Sequence, residues 1–212
     1  MIIAMKWSIH VLRKGKIMNY QIELEKILNN LDDKKTLLLH SCCAPCSSYV
    51  ITYLKDYFDI TVLYYNPNIE PIEEYEKRKN EQIRLCNIFN IKVLDCDYDN
   101  DLFHETVKGL EDVKEGGARC FKCYELRLKK TASLAKNYDY FGTTLTVSPF
   151  KNSNKLNEIG LNLEKEYHVK YLVSDFKKKE GYKKSILLSK EYNLYRQDFC
   201  GCIYSMKEKI NE

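Results

Sequence analysis

Seven of the nine cysteines in this chain of 212 residues fall into three short clusters. Cys42, Cys43 and Cys46 lie in HSCCAPC, Cys120 and Cys123 in RCFKC, and Cys200 and Cys202 in FCGC. Cysteine ligates metal as thiolate, and the amino end of a helix favours that form through its free N–H groups and dipole. Cys46, just ahead of a helix predicted from Ser47, and the Cys120/Cys123 pair, near another predicted helix start, have that placement. Residues three apart at a helix start share one face, so Cys120 and Cys123 are suited to grip one ion or cluster. Cys42 and Cys43 are adjacent, and neighbouring side chains on extended backbone diverge. They suit two different iron atoms or two different sites, and such neighbours do not easily close a disulfide. The pattern predicts a polynuclear centre, with a second metal, a mononuclear iron or other divalent ion, held partly by Cys46 and shared with Cys43. Cys200-Gly201-Cys202 differs in kind. Glycine permits unusual backbone angles, so this pair can close a small, strained disulfide ring, and strained rings are readily reduced. The pair is a two-electron store.

Rival readings exist for the same residues. A structural zinc site from Cys120, Cys123 and two further cysteines would instead give a zinc-stabilised binding protein without redox activity. Cys43-Ala44-Pro45-Cys46 after a strand has the C-x-x-C form of a thioredoxin-like thiol oxidoreductase, which leaves the other clusters unexplained. Cys86 and Cys96 have no near partner and read as packing residues. Of the four histidines, only His40 borders a cysteine cluster. There is no phosphate-binding G-x-x-x-x-G-K-[ST], no G-x-G-x-x-G and no G-x-S-x-G.

The elements that must position these thiols alternate. Helical periods run over 21–31, 47–57, 73–89, 102–110, 121–136, 155–167 and 185–191. Short apolar runs read as strands at 36–40, 60–65, 91–94, 140–146 and 171–173, and a tail carries the Cys-Gly-Cys element. This alternation predicts an α/β fold, a parallel sheet flanked by helices on both faces. In such sheets ligands bind beyond the carboxyl ends of strands. The first cysteine cluster sits there, directly after TLLLH.

The length suits one domain, and no Pro/Gly linker divides it. Residues 1–17 read as an extension, possible to remove without harm to a single catalytic domain over 18–212. Lys6, His10 and Arg13 interrupt its apolar character, which argues against a signal peptide. No stretch approaches the roughly 20 apolar residues of a membrane span. A cytoplasmic protein without membrane contact is expected, where clustered cysteines bind metal or do redox work rather than form staples. Net charge is +4, but residues 119–190 hold 16 Lys/Arg against 7 Asp/Glu. A basic half on a nearly neutral protein points to a polyanionic partner.

Five stretches carry a more specific signal: LLLHSCCAPC, YYNPNIEPIEEYEKR, ARCFKCYELRL, TTLTVSPFKN and DFKKKEGYKKSILLSKEYNLYRQDFCGC. Together they resemble the cobalamin-independent epoxyqueuosine reductase family (QueH), from about Leu37 to Ser205. The resemblance implies a Rossmann-like (HUP-type, nucleotide-hydrolase-like) domain with a cysteine-rich metal site. It implies the last step of queuosine synthesis, the reductive deoxygenation of epoxyqueuosine to queuosine at the wobble position of tRNA. It also implies a [4Fe-4S] cluster on Cys42, Cys43, Cys120 and Cys123, a redox-active Cys200/Cys202 pair and an external electron donor. Some members carry Asp where this chain has Cys46, which alters the hardness of a metal held there. By motif position His40, Lys151, Tyr195 and Arg196 are candidate proton donors or substrate contacts. Tyr64, Tyr65 and Asn66 are candidates to stack or hydrogen-bond the base, and Lys177, Lys178 and Lys179 to meet the tRNA backbone.

Overall fold

A computed structural model describes residues 18–210. The segment 1–17, expected to be dispensable, lies outside the described residues.

Five parallel strands form one sheet: β1 (Lys35–His40), β2 (Phe58–Leu63), β3 (Lys92–Leu94), β4 (Tyr140–Thr143) and β5 (Lys170–Tyr171), in the order β3-β2-β1-β4-β5. The chain steps outward from β1 to β3, then returns to the other side of β1 for β4. The order therefore reverses between β1 and β4, the position where open α/β sheets bind ligands. Cys42 stands at that point: its backbone N–H donates to Thr144 Oγ1 at 3.1 Å, just past β4.

The helices are α1 (Tyr20–Asn29), α2 (Ala44–Leu54), α3 (Ile72–Ile88), α4 (Asn100–Thr106), α5 (Ala118–Leu134), α6 (Ser153–Tyr167), α7 (Gly181–Glu191) and α8 (Ile203–Ile210). Successive strand side chains point to opposite faces. Leu37 and Leu39 accordingly enter a core with Leu24, Val50, Leu54 and Leu85 from α1, α2 and α3. Leu38 enters the opposite core, with Leu128 and Ala132 of α5 and Leu156 and Leu163 of α6. The predicted architecture of a sheet covered on both faces is the one observed.

Three differences bear on the site. Helix α2 starts at Ala44, three residues before the predicted start, because extended Cys43 (φ −174°) is its cap and Pro45 fits the first turn. Ser47 and Ser48 are not caps: Ser47 Oγ meets Ser41 Oγ at 2.5 Å, and Ser48 Oγ donates to Pro45 O. Helix α5 likewise starts at Ala118, so Cys120 and Cys123 occupy its first two turns. The predicted tail folds as α8, immediately after Cys202. Among the described residues no helix is long and apolar enough to cross a membrane.

Candidate metal and redox centre

The sulfurs of Cys42, Cys43 and Cys46 all lie within 4.8 Å of one another, with Cys42 Sγ 3.7 Å from Cys43 Sγ. A helix start makes this possible, with an extended Cys43 followed by one helical turn to Cys46. The three thiols share protons unequally. Hydrogen bonds from Cys42 and Cys46 hold the Cys43 thiol well below its ordinary range, while donating pushes Cys42 and Cys46 up. The helix dipole at the start of α2 acts in the same direction on Cys43. A lone Cys43–Cys46 redox pair does not describe this arrangement, because Cys42 belongs to the same group.

This triad lines a cavity of about 550 Å³, together with Arg127, Lys151 and Cys200. A much smaller adjoining cavity is lined by Cys120, Cys123, Cys200 and Cys202, and again by Arg127 and Lys151. Seven clustered cysteines therefore surround two cavities with a common wall. Burial raises the Cys120 thiol and takes Cys123 to about 11. The Gly116 N–H, 3.2 Å from Cys120 Sγ, and the Arg127 guanidinium beside Cys123 work against that rise.

The Cys200/Cys202 pair is carried on a turn that Arg78 holds from behind. Arg78 is 2% exposed, donates to Cys200 O at 3.1 Å and pairs with Glu74 at 2.6 Å. The Gly201 carbonyl accepts from Glu70 N at 2.8 Å. Gly201 has φ +114°, and a Cβ there would lie 2.8 Å from Arg78 Nη1. Only glycine meets both demands. A hydrogen bond from Cys202, against the cost of burial and with help from Lys151, holds Cys200 well below the usual thiol range. Donating that bond raises Cys202.

Lys151 Nζ lies 3.0 Å from Cys200 Sγ and 2.7 Å from Glu115 Oε1. Burial lowers its pKa, but these two anions more than offset that and keep it charged. Glu115 Oε2 accepts from Ser205 Oγ at 3.0 Å, and Ser205 Oγ accepts from Cys200 N at 3.2 Å. A closed ring of contacts therefore joins Lys151, Glu115, the first turn of α8 and Cys200.

Other sequence candidates fare differently. His40 is fully buried; Nδ1 meets Thr143 Oγ1 at 3.0 Å and Nε2 accepts from Arg127 Nε at 3.2 Å. Burial, then the Arg127 charge, lowers its pKa to about 3, so it stays neutral and is a poor general acid. Tyr64 and Tyr65 are 0% and 1% exposed and cannot stack a base. Asn66 is equally buried and fully used, donating to Ser41 O and accepting from Arg127. Strand packing draws these three inward, because β2 sits between β1 and β3. The Tyr195 hydroxyl donates to Glu74, under the Lys77 ammonium, and lies off the cavity wall. Arg196 does line the large cavity. Lys177 pairs with Asp175 and Lys179 with Glu25, leaving the exposed Lys178 as the member of that run with no ion pair among the described residues. Cys86 is buried and accepts from Gln82 Nε2 at 3.1 Å, the packing role expected of it.

Sequence reasoning missed Arg127 and Glu115. Arg127 follows Cys120 and Cys123 at i+7 and i+4, so one face of α5 carries all three. That spacing is the signal that could have found it. No spacing marks Glu115, which reaches the site from a loop.

A family profile described as Epoxyqueuosine reductase QueH matches residues 37–208. Epoxyqueuosine reductase QueH of Staphylococcus epidermidis is 41% identical over 212 residues, covering 93% of this chain and 89% of the relative. The protein of that name from Streptococcus pyogenes serotype M1 is 42% identical, covering 87% and 76%. The one from Thermotoga maritima is 36% identical, covering 82% and 92%. Among solved structures, the U34-tRNA thiolase NcsA from Methanococcus maripaludis with its [4Fe-4S] cluster superposes with a TM-score of 0.55 at 14% identity. That match covers 88% of this chain and 67% of the thiolase, and at such identity it is a likeness of fold.

Proposed function

This chain belongs to the epoxyqueuosine reductase QueH family, and from that premise we propose that its seven clustered thiols carry out the reductive deoxygenation of epoxyqueuosine in the anticodon loop of a tRNA. The reaction adds two electrons and two protons. Both carbon–oxygen bonds of the epoxide break, the oxygen leaves as water, and the ring is left as a cyclopentene. The observation that carries this reading is the shared wall: two thiol-lined cavities meet at Cys200, Lys151 and Arg127.

The donor set fits an iron–sulfur group. Thiolate is the ligand such clusters take, and Cys42, Cys43, Cys120 and Cys123 supply four from two elements. Cys46 completes the triad on the large cavity and is the ligand available to a second, mononuclear iron or other divalent metal. When bound, the cluster supplies single-electron transfer and a Lewis-acidic iron toward the epoxide oxygen. The chain's own residues do the rest. Cys200 and Cys202 hold one thiolate and one thiol, a two-electron couple once an external donor has reduced it. Lys151 holds a proton at Nζ on the wall both cavities share. Glu115 and Cys200 orient that ammonium, and the buried Arg127 offsets the negative charge of the thiolates around it. The tRNA meets the basic half, in the cytoplasm where it is modified. Its anticodon loop is single-stranded, so presenting the base costs little.

Iron and sulfide analysis of anaerobically purified protein tests the reading. Cys42→Ala and Cys123→Ala should each lower bound iron sharply, while Cys86→Ala keeps it. Cys200→Ser should keep iron and lose most turnover on tRNA carrying epoxyqueuosine. Wild-type iron in both ligand variants, or stoichiometric zinc in place of iron, would overturn it.

A further inference from the structure

Deep in the large cavity are thiols and buried cations; at its rim stands one residue of opposite character. Phe150 lines the same cavity as Cys42, Lys151 and Cys200, yet it is 73% exposed. Among the exposed large hydrophobics of the described residues only Ile210 exceeds it. A single exposed aromatic ordinarily needs no explanation. This one stands on a hydrogen-bonded turn. The Ser148–Lys151 turn is closed by Phe150 N donating to Ser148 Oγ at 3.3 Å and Lys151 N donating to Ser148 O at 3.3 Å. That turn leaves a short buried 3₁₀ segment, Leu145–Val147. The same turn sends Lys151 inward, 9% exposed, against Cys200, and its neighbour Phe150 outward.

Further planar side chains line this cavity, among them Phe199, Tyr182 and Arg196, with the Arg196 guanidinium 5.9 Å from the Tyr182 ring. Arg196 is fixed by Ser189 Oγ at 3.1 Å. The cavity thus has reactive sulfurs and the Lys151 ammonium inside, while its exposed lining carries flat side chains beside the charged Asp198 and Lys209. A molecule that fills it would have a polar, reducible end and a planar end.

We propose that Phe150 is the stacking platform for the planar base of the modified nucleotide, with Tyr182 and Arg196 completing the base-binding rim. This rests on the reductase reading above and assigns it a recognition surface in place of the buried Tyr64 and Tyr65. An aromatic with two side-chain torsions loses little entropy on stacking. Stacking on an aromatic is sequence-tolerant, so the rim grips the base while the interior acts on its substituent.

The test uses the metal-loaded protein and an RNA anticodon stem-loop carrying epoxyqueuosine, with the unmodified loop alongside. Phe150→Ala should raise Kd and KM about tenfold, within the range stacked bases show on alanine substitution, and leave kcat within about twofold. Iron content should match the wild type. Phe150→Trp should restore KM, and Phe150→Leu should not, since leucine keeps bulk without a π-face. The slope of log Kd against log salt should be the same in every variant, because no phosphate contact is lost. Unchanged KM in Phe150→Ala, loss confined to kcat, or full activity of Phe150→Leu would each overturn the proposal. A wild-type protein that binds the modified loop but never reduces it would refute the reaction instead, and the binding arm would still decide the role of Phe150.

Discussion

Lys151 stands between Cys200 and Glu115, and its charge does more for the sulfur than for the carboxylate. A carboxylate is ionised at neutral pH without help, whereas a thiol is not. The depressed Cys200 pKa means that thiolate persists well below the usual thiol range and is lost only as pH falls through the lowered value. Removing the ammonium moves that transition upward. We predict that in Lys151→Met the alkylation rate of Cys200 by iodoacetamide rises with pH more steeply around neutrality than in the wild type. Peptide mass spectrometry reads this directly, and a flat profile in the variant would show that Cys202 alone sets the thiolate. Turnover should fall as well, since Nζ is the proton held on the cavity wall. At this scale the sequence made the sulfurs legible, because seven cysteines at such spacings have few other uses. It did not make the cations legible. Arg127 lies in a helix rich in basic residues, and in sequence only its i+4 and i+7 spacing from Cys123 and Cys120 sets it apart from Lys129 and Lys130. Burial against the sheet singles it out at 2% exposed, and burial is a tertiary property.

Helices α2, α5 and α8 each begin beside a thiol group, and each was harder to read at its start than along its length. Apolar periodicity located the bodies of α2 and α5 correctly. Their first turns are CAPC and ARCFKC, where cysteines occupy positions that a packing pattern would give to leucine or alanine. Functional residues thus erased the signal that marks a helix boundary. Helix α8 went unread because it is only eight residues long and begins two residues after a glycine. It closes the site through Ser205, and through Arg119, whose guanidinium pairs with Glu208 at 3.0 Å and lies over the Tyr204 ring. The Cys-Gly-Cys turn is therefore clamped from both sides, by α8 and by Arg78. Gly201→Ala should test how much that geometry matters. The positive φ costs roughly 1–2 kcal/mol for an L side chain, and the Cβ must also displace Arg78. We expect melting to fall by roughly 2–8 °C, with turnover reduced and iron content retained. Loss of iron in this variant would mean that the turn holds the metal rather than the two-electron couple.

The strand alternation was enough to give the parallel sheet and its two helical layers, because parallel strands need crossover connections. The charge asymmetry was equally visible, but where each charge lands was not. Lys177, Lys178 and Lys179 look equivalent in sequence, yet two of them answer carboxylates within the fold, Asp175 and Glu25. Lys183 answers Glu180 one turn away. A lysine already paired gives up that pair to meet a phosphate, so its net contribution to RNA binding is small. Among the described residues Lys178 has no such pair. Reversing it to Glu should weaken binding to all tRNAs alike and lower the salt slope by about one phosphate contact, near 0.7–0.9 in the log–log plot. Lys179→Glu is the matched control: it sets two carboxylates against each other beside α1, so it should lower the melting temperature while leaving the salt slope nearly unchanged. Anisotropy titrations at several salt concentrations measure both. An unaltered slope in Lys178→Glu would move the RNA backbone off this loop.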